Sequence, residues 1–232
     1  MPEHNHELYK QPFGESIILT FFTLVLLMFS TSLIIFFCYH FFDIPMGVEP
    51  SPIILAIAVF FGLFISYLLL MRLSPAFFSR IFVPQLKSSP GWLALSVILG
   101  LLMSALVLWC AQFFQPPVGT DSTFEQIYAG GTLPQVLLLI AVVLLAPVGE
   151  EYLFRGVLLA GLSQRFSNFS AILLSSVVFM SFHLLEYYDY WYALAAIFIL
   201  GILLAVLRLH SQSMSVPICC HASYNLIMLT LA

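Results

Sequence analysis

The chain has 232 residues, of which 62% are hydrophobic and only 8% are charged, and its formal net charge at pH 7 is −4. Soluble domains carry about 25% charged residues, so the composition excludes an ordinary soluble protein and indicates one that crosses a membrane several times. The slightly acidic balance also argues against a nucleic-acid partner, because nucleic acids bind basic surfaces.

Long apolar runs recur along the whole chain. A transmembrane helix needs about 20 mostly apolar residues, so we predict an all-α, polytopic helical bundle of about seven spans, within a range of six to eight. The predicted spans cover 16–40, 51–71, 92–114, 133–161, 169–187, 190–208 and 213–232. Residues 74–90 form a shorter stretch that mixes basic with apolar side chains, which favours a helix lying in the membrane interface.

The loop charges predict an orientation. Short cytoplasmic loops accumulate Lys and Arg, and loops containing Arg72, Lys87 or Arg165 alternate with loops whose charged residues are all acidic. We therefore expect a cytoplasmic N-terminal tail (1–15), N-terminal spans within 16–132 and a core of four spans within 133–232.

Six polar side chains stand out inside the predicted spans of the second half of the chain. An ionisable group in the bilayer is costly, so such residues usually face the bundle interior and mark a functional site. The six residues are Glu150, Glu151, Arg155, His183, His221 and Asn225.

The two adjacent glutamates are expected to have different roles. Glu151 and Arg155 are four residues apart with the acid first, which is the favourable order for an ion pair along one helix face. Glu150 points about 100° away from Glu151. Pro147 leaves the carbonyl of Val143 without its normal donor and can bend the helix there, and Gly149 allows a neighbour to approach closely.

Counting residues along the spans places the other polar groups near Glu150. If the fourth and fifth spans form an antiparallel pair, Glu150 and His183 lie about 16 residues on either side of the turn and at the same depth. The same count places His221 about five residues below that depth and Asn225 about one residue below it. We therefore expect one shared, buried pocket.

Two kinds of chemistry fit this set of groups. Glu150 with His183 could deprotonate a water molecule that attacks a peptide carbonyl, while His221 and Asn225 stabilise the oxyanion. Alternatively, Glu and His side chains could bind zinc with a water in an open position. The residue types are compatible with both the metal-free and the zinc mechanism. We therefore assign no cofactor and keep zinc as the alternative.

Three short motifs resemble those of a known family. Residues 150–155, "EEYLFR", are similar to the EExxxR motif of the CAAX protease and bacteriocin-processing (CPBP, or Abi) family of intramembrane endopeptidases. "FMSFH" at 179–183 resembles its FxxxH motif, and "HASYN" at 221–225 resembles its HxxxN motif. The motifs occur in the family's order, within about the last 100 residues.

The resemblance implies an endopeptidase whose core is 133–232, either glutamate-dependent or a metalloprotease. By position, it implies that Glu150 and His183 activate water and that His221 and Asn225 form the oxyanion hole. Glu151 and Arg155 would support the structure of the site. It further implies a peptide or protein substrate, with or without a lipid group, and a protein in the bacterial plasma membrane.

Two other functions fit part of the pattern. The buried Glu and His residues could form a proton relay in a proton-coupled transporter, although such proteins usually have corresponding broken helices in both halves. The protein could also be a non-catalytic membrane scaffold or immunity protein that contains the same pocket.

Overall fold

The computed structural model of the protein describes residues 12–45, 47–74, 82, 84–114 and 123–231. Within these ranges the chain forms eight α-helices and no strand, which confirms the all-α prediction. The helices are α1 (Phe13–Phe41), α2 (Pro52–Leu73), α3 (Pro90–Ala111), α4 (Thr123–Ala129), α5 (Thr132–Leu162), α6 (Asn168–Phe182), α7 (Trp191–Ser211) and α8 (Ser215–Leu231).

The described helices correspond well to the predicted spans. Five of them, α1, α2, α3, α5 and α7, are long and apolar enough to cross a membrane. The other two predicted spans correspond to α6 and α8, which are apolar but have only 15 and 17 residues. The protein is therefore an integral membrane protein.

Two predicted features differ from the described structure or lie outside it. The fifth span was expected to reach residue 187, but α6 ends at Phe182, and turns occupy most of the following residues up to Tyr190. Most of the tail 1–15 and residues 75–81 and 83 of the predicted interfacial helix lie outside the described residues. The described end of that stretch contains a 3-10 turn, Pro84–Leu86, before α3 begins.

Local sequence explains where α3 and α6 start. Pro90 is the first residue of α3, where its missing N–H is no loss, and the Ser89 side chain accepts a hydrogen bond from the Trp92 N–H. Ser167 caps α6 in the same way by accepting from the Ser170 N–H. These caps satisfy backbone donors that a helix leaves free at its first turn.

Small residues mediate the close contacts between helices, as is usual in membrane bundles. Ser30 of α1 contacts Ser66 of α2 through their hydroxyl groups at 3.0 Å. On the other side of the bundle, α3 packs on α8 at Gly100. A Cβ atom added there would lie 2.4 Å from the Cys220 carbonyl oxygen. Only glycine allows this approach.

Helix α5 is the central element, and its backbone is irregular. Two π-helical turns, Ala141–Leu145 and Tyr152–Leu158, flank the α-helical segment Ala146–Glu151. In a π turn each N–H bonds to the carbonyl five residues earlier, so the bond that Pro147 is unable to make is the one to Val142. The sequence placed this free carbonyl one residue later, at Val143, because it assumed regular α geometry.

We expect Gly100→Ala to destabilise the bundle, because the new methyl group would meet the Ser223 hydroxyl and also the backbone of α8 at Cys220, which has less freedom to move. Overpacking of this kind costs about 1–3 kcal/mol. The thermal unfolding midpoint of the purified protein in detergent measures the effect. Gly91→Ala is the matched control in the same helix, since the nearest atom to its added Cβ lies 3.9 Å away. An unchanged midpoint for Gly100→Ala would contradict the close contact.

Candidate active site

Glu151 lies at the centre of a buried ionic cluster. Its Oε1 accepts hydrogen bonds from Arg155 Nη1 and from His221 Nδ1, each at 2.9 Å. Arg155 also donates from Nη2 to the Gly201 carbonyl oxygen at 2.9 Å. The side chain of Glu151 is fully buried, and Arg155 and His221 are almost so. The cluster therefore joins α5, α7 and α8 around one carboxylate.

Phe179 of α6 packs against this cluster. The Arg155 guanidinium lies 4.5 Å from the centre of the Phe179 ring, which is a favourable cation–π distance. The same ring makes edge contacts with His221 and His183, at centroid distances of 5.8 Å and 5.1 Å. Phe179 thus fixes the positions of both imidazoles.

Glu150 has different surroundings from Glu151. Its side chain is buried, and its Oε2 has no hydrogen-bond partner among the described residues. The nearest charged group is His221, whose Nε2 lies 3.8 Å from that oxygen, too far for a hydrogen bond. Glu150 therefore presents a free carboxylate oxygen inside the protein, next to an imidazole.

His183 lies at the C-terminal end of α6 and is half-buried. Its Nδ1 lies 3.0 Å from the Phe179 carbonyl oxygen. Because a carbonyl only accepts hydrogen bonds, Nδ1 carries a proton, and in the neutral imidazole Nε2 then has a free lone pair. The structure shows no direct ion pair between His183 and Glu150, so a contact between these two groups would need a bridging molecule.

Asn225 bonds to the backbone of α5 and not to a glutamate. Its Nδ2 donates to the Val142 carbonyl oxygen at 2.9 Å, which is the carbonyl that Pro147 leaves without a donor. A side-chain amide has two N–H groups, so one remains for another acceptor. Asn225 and His221 thus contact α5 at two separate places.

The depth expected for His221 is corrected by these contacts. The residue count placed it about five residues below Glu150, but it contacts both glutamates directly. The count assumed helix through residue 187, whereas the chain leaves helical geometry after Phe182 and turns. Turns advance less along the bundle than the count allowed, so α7 and α8 are shifted relative to α5.

The described side chains do not fit a zinc site. No group of three or more His, Cys, Asp or Glu side chains is placed to hold a metal ion in the part of the chain that the structure describes. The Glu151 oxygen nearest to His221 is already engaged by Arg155. We therefore route no chemical step through zinc.

Sequence reasoning missed one residue beside the site, Tyr67 of α2. Its ring packs on the backbone at Gly149, where an added Cβ would lie 2.1 Å from a ring carbon. Gly149 predicted a close neighbour but could not identify it. The available signal was a tyrosine in the middle of an otherwise apolar span.

Comparison with known proteins concerns the C-terminal part of the chain. Residues 132–227 match the family model described as type II CAAX prenyl endopeptidase Rce1-like. The C-terminal region is Rce1-like. The match confirms the resemblance that the three motifs indicated. Every predicted site residue lies inside this Rce1-like region, while Tyr67 lies outside it.

A curated relative matches a similar share of the chain. An uncharacterized 24.3 kDa protein of Escherichia coli is 30% identical over 99 residues, which are 41% of this chain and 45% of that protein. The match thus spans less than half of the relative's length. No solved structure matches the chain.

We expect Arg155→Ala to destabilise the protein strongly, because it leaves the Glu151 carboxylate buried with only His221 as partner. Removing one member of a buried ion pair costs about 3–5 kcal/mol. Thermal unfolding in detergent measures the loss, and Arg165→Ala is the control, since that arginine is exposed and packs over Phe13 at 5.6 Å. Equal midpoints for the two variants would contradict a structural role for the cluster.

Proposed function

We propose that the protein is an intramembrane endopeptidase in which Glu150 activates a water molecule for attack on a peptide bond. The observation that carries the proposal is the unpartnered Oε2 of Glu150, buried beside the imidazole of His221, while the adjacent Glu151 is held through its Oε1 by Arg155 and His221. A carboxylate oxygen without a protein partner is free to accept a proton from bound water.

Each bond change has a residue to support it. The water oxygen bonds to the carbonyl carbon as its proton passes to Glu150, and that proton then moves to the leaving nitrogen when the C–N bond breaks. His183 holds the water through the lone pair on Nε2, from the half-buried end of α6. This role fits a neutral imidazole whose Nδ1 donates to the Phe179 carbonyl.

The negative charge on the tetrahedral intermediate needs hydrogen-bond donors. We assign this role to the second N–H of Asn225 and to His221 Nε2, which donates when both ring nitrogens of His221 carry a proton. His221 is held by its Nδ1 contact with Glu151, which leaves Nε2 as the ring atom facing Glu150. Asn225 is fixed by its bond to Val142.

Glu151 and Arg155 support the site without taking part in proton transfer. Their bond is part of a network that reaches the Gly201 backbone and His221. A rigid network of this kind holds the reacting groups in position before substrate binds.

The substrate is a peptide or protein segment bound at the membrane. The glutamates lie on α5, which is long and apolar enough to span a bilayer, and the histidines lie on or next to the shorter apolar helices α6 and α8. The match to CAAX prenyl endopeptidases makes lipidated peptides the first candidates. The loop charges support an N-terminus in the cytoplasm. The family resemblance and the similarity to an Escherichia coli protein support a bacterial plasma membrane.

We predict that Glu150→Gln abolishes peptide cleavage but leaves the fold intact. The substitution keeps the size of the side chain and removes the base, so the rate should fall by about 10²–10⁴-fold with an unchanged unfolding midpoint. Glu151→Gln is the paired variant, and it should lower the midpoint because it weakens the contacts to Arg155 and His221. Purified protein in lipid nanodiscs, incubated with prenylated and unmodified peptides, provides the assay.

The same variants test the alternatives. If Glu150→Gln cleaves as fast as the wild type, the proposed base is wrong. If neither the wild type nor Glu150→Gln cleaves any peptide, and both have the same effect in the cell, the protein acts as a scaffold or immunity partner and not as a protease.

A separate prediction concerns metal. Because the described side chains do not fit a zinc site, cleavage should continue after treatment with a chelator at a concentration that inactivates a known zinc protease in parallel. Loss of cleavage that added zinc restores would contradict the metal-free scheme.

A further inference from the structure

Tyr67 contains a buried polar group with no visible partner. Its side chain is 4% exposed, and its hydroxyl oxygen has no hydrogen-bond partner in the structure. An unsatisfied buried hydroxyl lowers stability. Buried Tyr39 and Tyr152, by contrast, hydrogen-bond to the Val48 carbonyl and to the Ser74 hydroxyl. Phenylalanine would fill the place of Tyr67 without that penalty, so the hydroxyl calls for an explanation.

The ring of Tyr67 lies flat against the residue that precedes Glu150. A Cβ added to Gly149 would lie 2.1, 2.2 and 2.3 Å from three adjacent ring carbons, Cδ2, Cε2 and Cγ. Such nearly equal distances mean that the face of the ring covers the backbone there. Any side chain at residue 149 would displace the tyrosine, so Gly149 and Tyr67 form a matched contact between α5 and α2.

Tyr67 packs against Gly149, the residue that directly precedes Glu150 and Glu151 in the chain. Its hydroxyl is not hydrogen-bonded to either glutamate, and Oε2 of Glu150 and Oε2 of Glu151 also have no partner among the described residues. One buried donor of α2 and two buried acceptors of α5 therefore lie beside this contact without bonding to one another. Buried waters usually occupy sites with two to four such polar partners, so the arrangement suits a water or a substrate oxygen.

We propose that Tyr67 is a further catalytic residue, whose hydroxyl donates a hydrogen bond to the water molecule that Glu150 activates. The inference rests on the proposed function. As the water gives its proton to Glu150, negative charge develops on the water oxygen, and a preorganised donor stabilises that charge. The phenol keeps its own proton throughout. Helix α2, which lies outside the Rce1-like region, would then supply part of the active site.

Tyr67→Phe tests this role, because it keeps the ring on Gly149 and removes only the hydroxyl. We expect kcat to fall by about 10²-fold, the effect of removing one preorganised donor, with little change in KM. We also expect the unfolding midpoint to stay the same or to rise, since the hydroxyl has no protein partner to lose.

Tyr152→Phe is the matched control. It removes an equally buried hydroxyl that bonds to Ser74 at 2.6 Å, so it should lower the unfolding midpoint and leave kcat unchanged. Glu150→Gln serves as the inactive reference in the same nanodisc assay.

The outcomes separate this inference from the proposed function. If kcat is unchanged in Tyr67→Phe while Glu150→Gln is inactive, the proposed role of Tyr67 is wrong and the proposed protease function stands. A midpoint as low as that of Tyr152→Phe would overturn it as well, because the hydroxyl would then have a partner within the protein. A wild type that cleaves nothing, or a Glu150→Gln variant as active as the wild type, would remove the proposed function and this inference together.

Discussion

The structure depends on one carboxylate, that of Glu151, which is fully buried and shared by Arg155 and His221. A charge in the interior of a membrane protein is tolerated only when it is paired and hydrogen-bonded. Because Arg155 also bonds to the Gly201 backbone, the same contacts join three helices and position the imidazole beside Glu150. The packing of the core and the geometry of the site are therefore set by the same few bonds.

The irregular backbone of α5 is the second constraint. Backbone groups within a bilayer must be satisfied inside the protein, and Pro147 together with a π turn leaves the Val142 carbonyl without a backbone donor. Asn225 of α8 provides the missing N–H. Helix α8 thus contacts α5 at two positions along its length. Asn225 bonds to the π turn, and His221 bonds to Glu151. An intact α8 is needed both for the shape of α5 and for the environment of the acids.

The N-terminal helices do more than surround the Rce1-like region. Small polar residues bring α1 and α2 together, with Ser30 against Ser66, and α2 in turn reaches the site through Tyr67 and Gly149. One wall of the site therefore comes from a part of the chain outside the family match.

The sequence alone determined the features that depend on local spacing and on hydrophobicity. Apolar runs defined the helices, and the four-residue spacing predicted the bond between Glu151 and Arg155, because both follow from the geometry of a single helix. Contacts between helices depended on tilt, on the π turns and on the turns after Phe182, none of which a residue count contains. Only the tertiary structure could therefore place His221 against Glu151, direct Asn225 to Val142 and bring Tyr67 to the site.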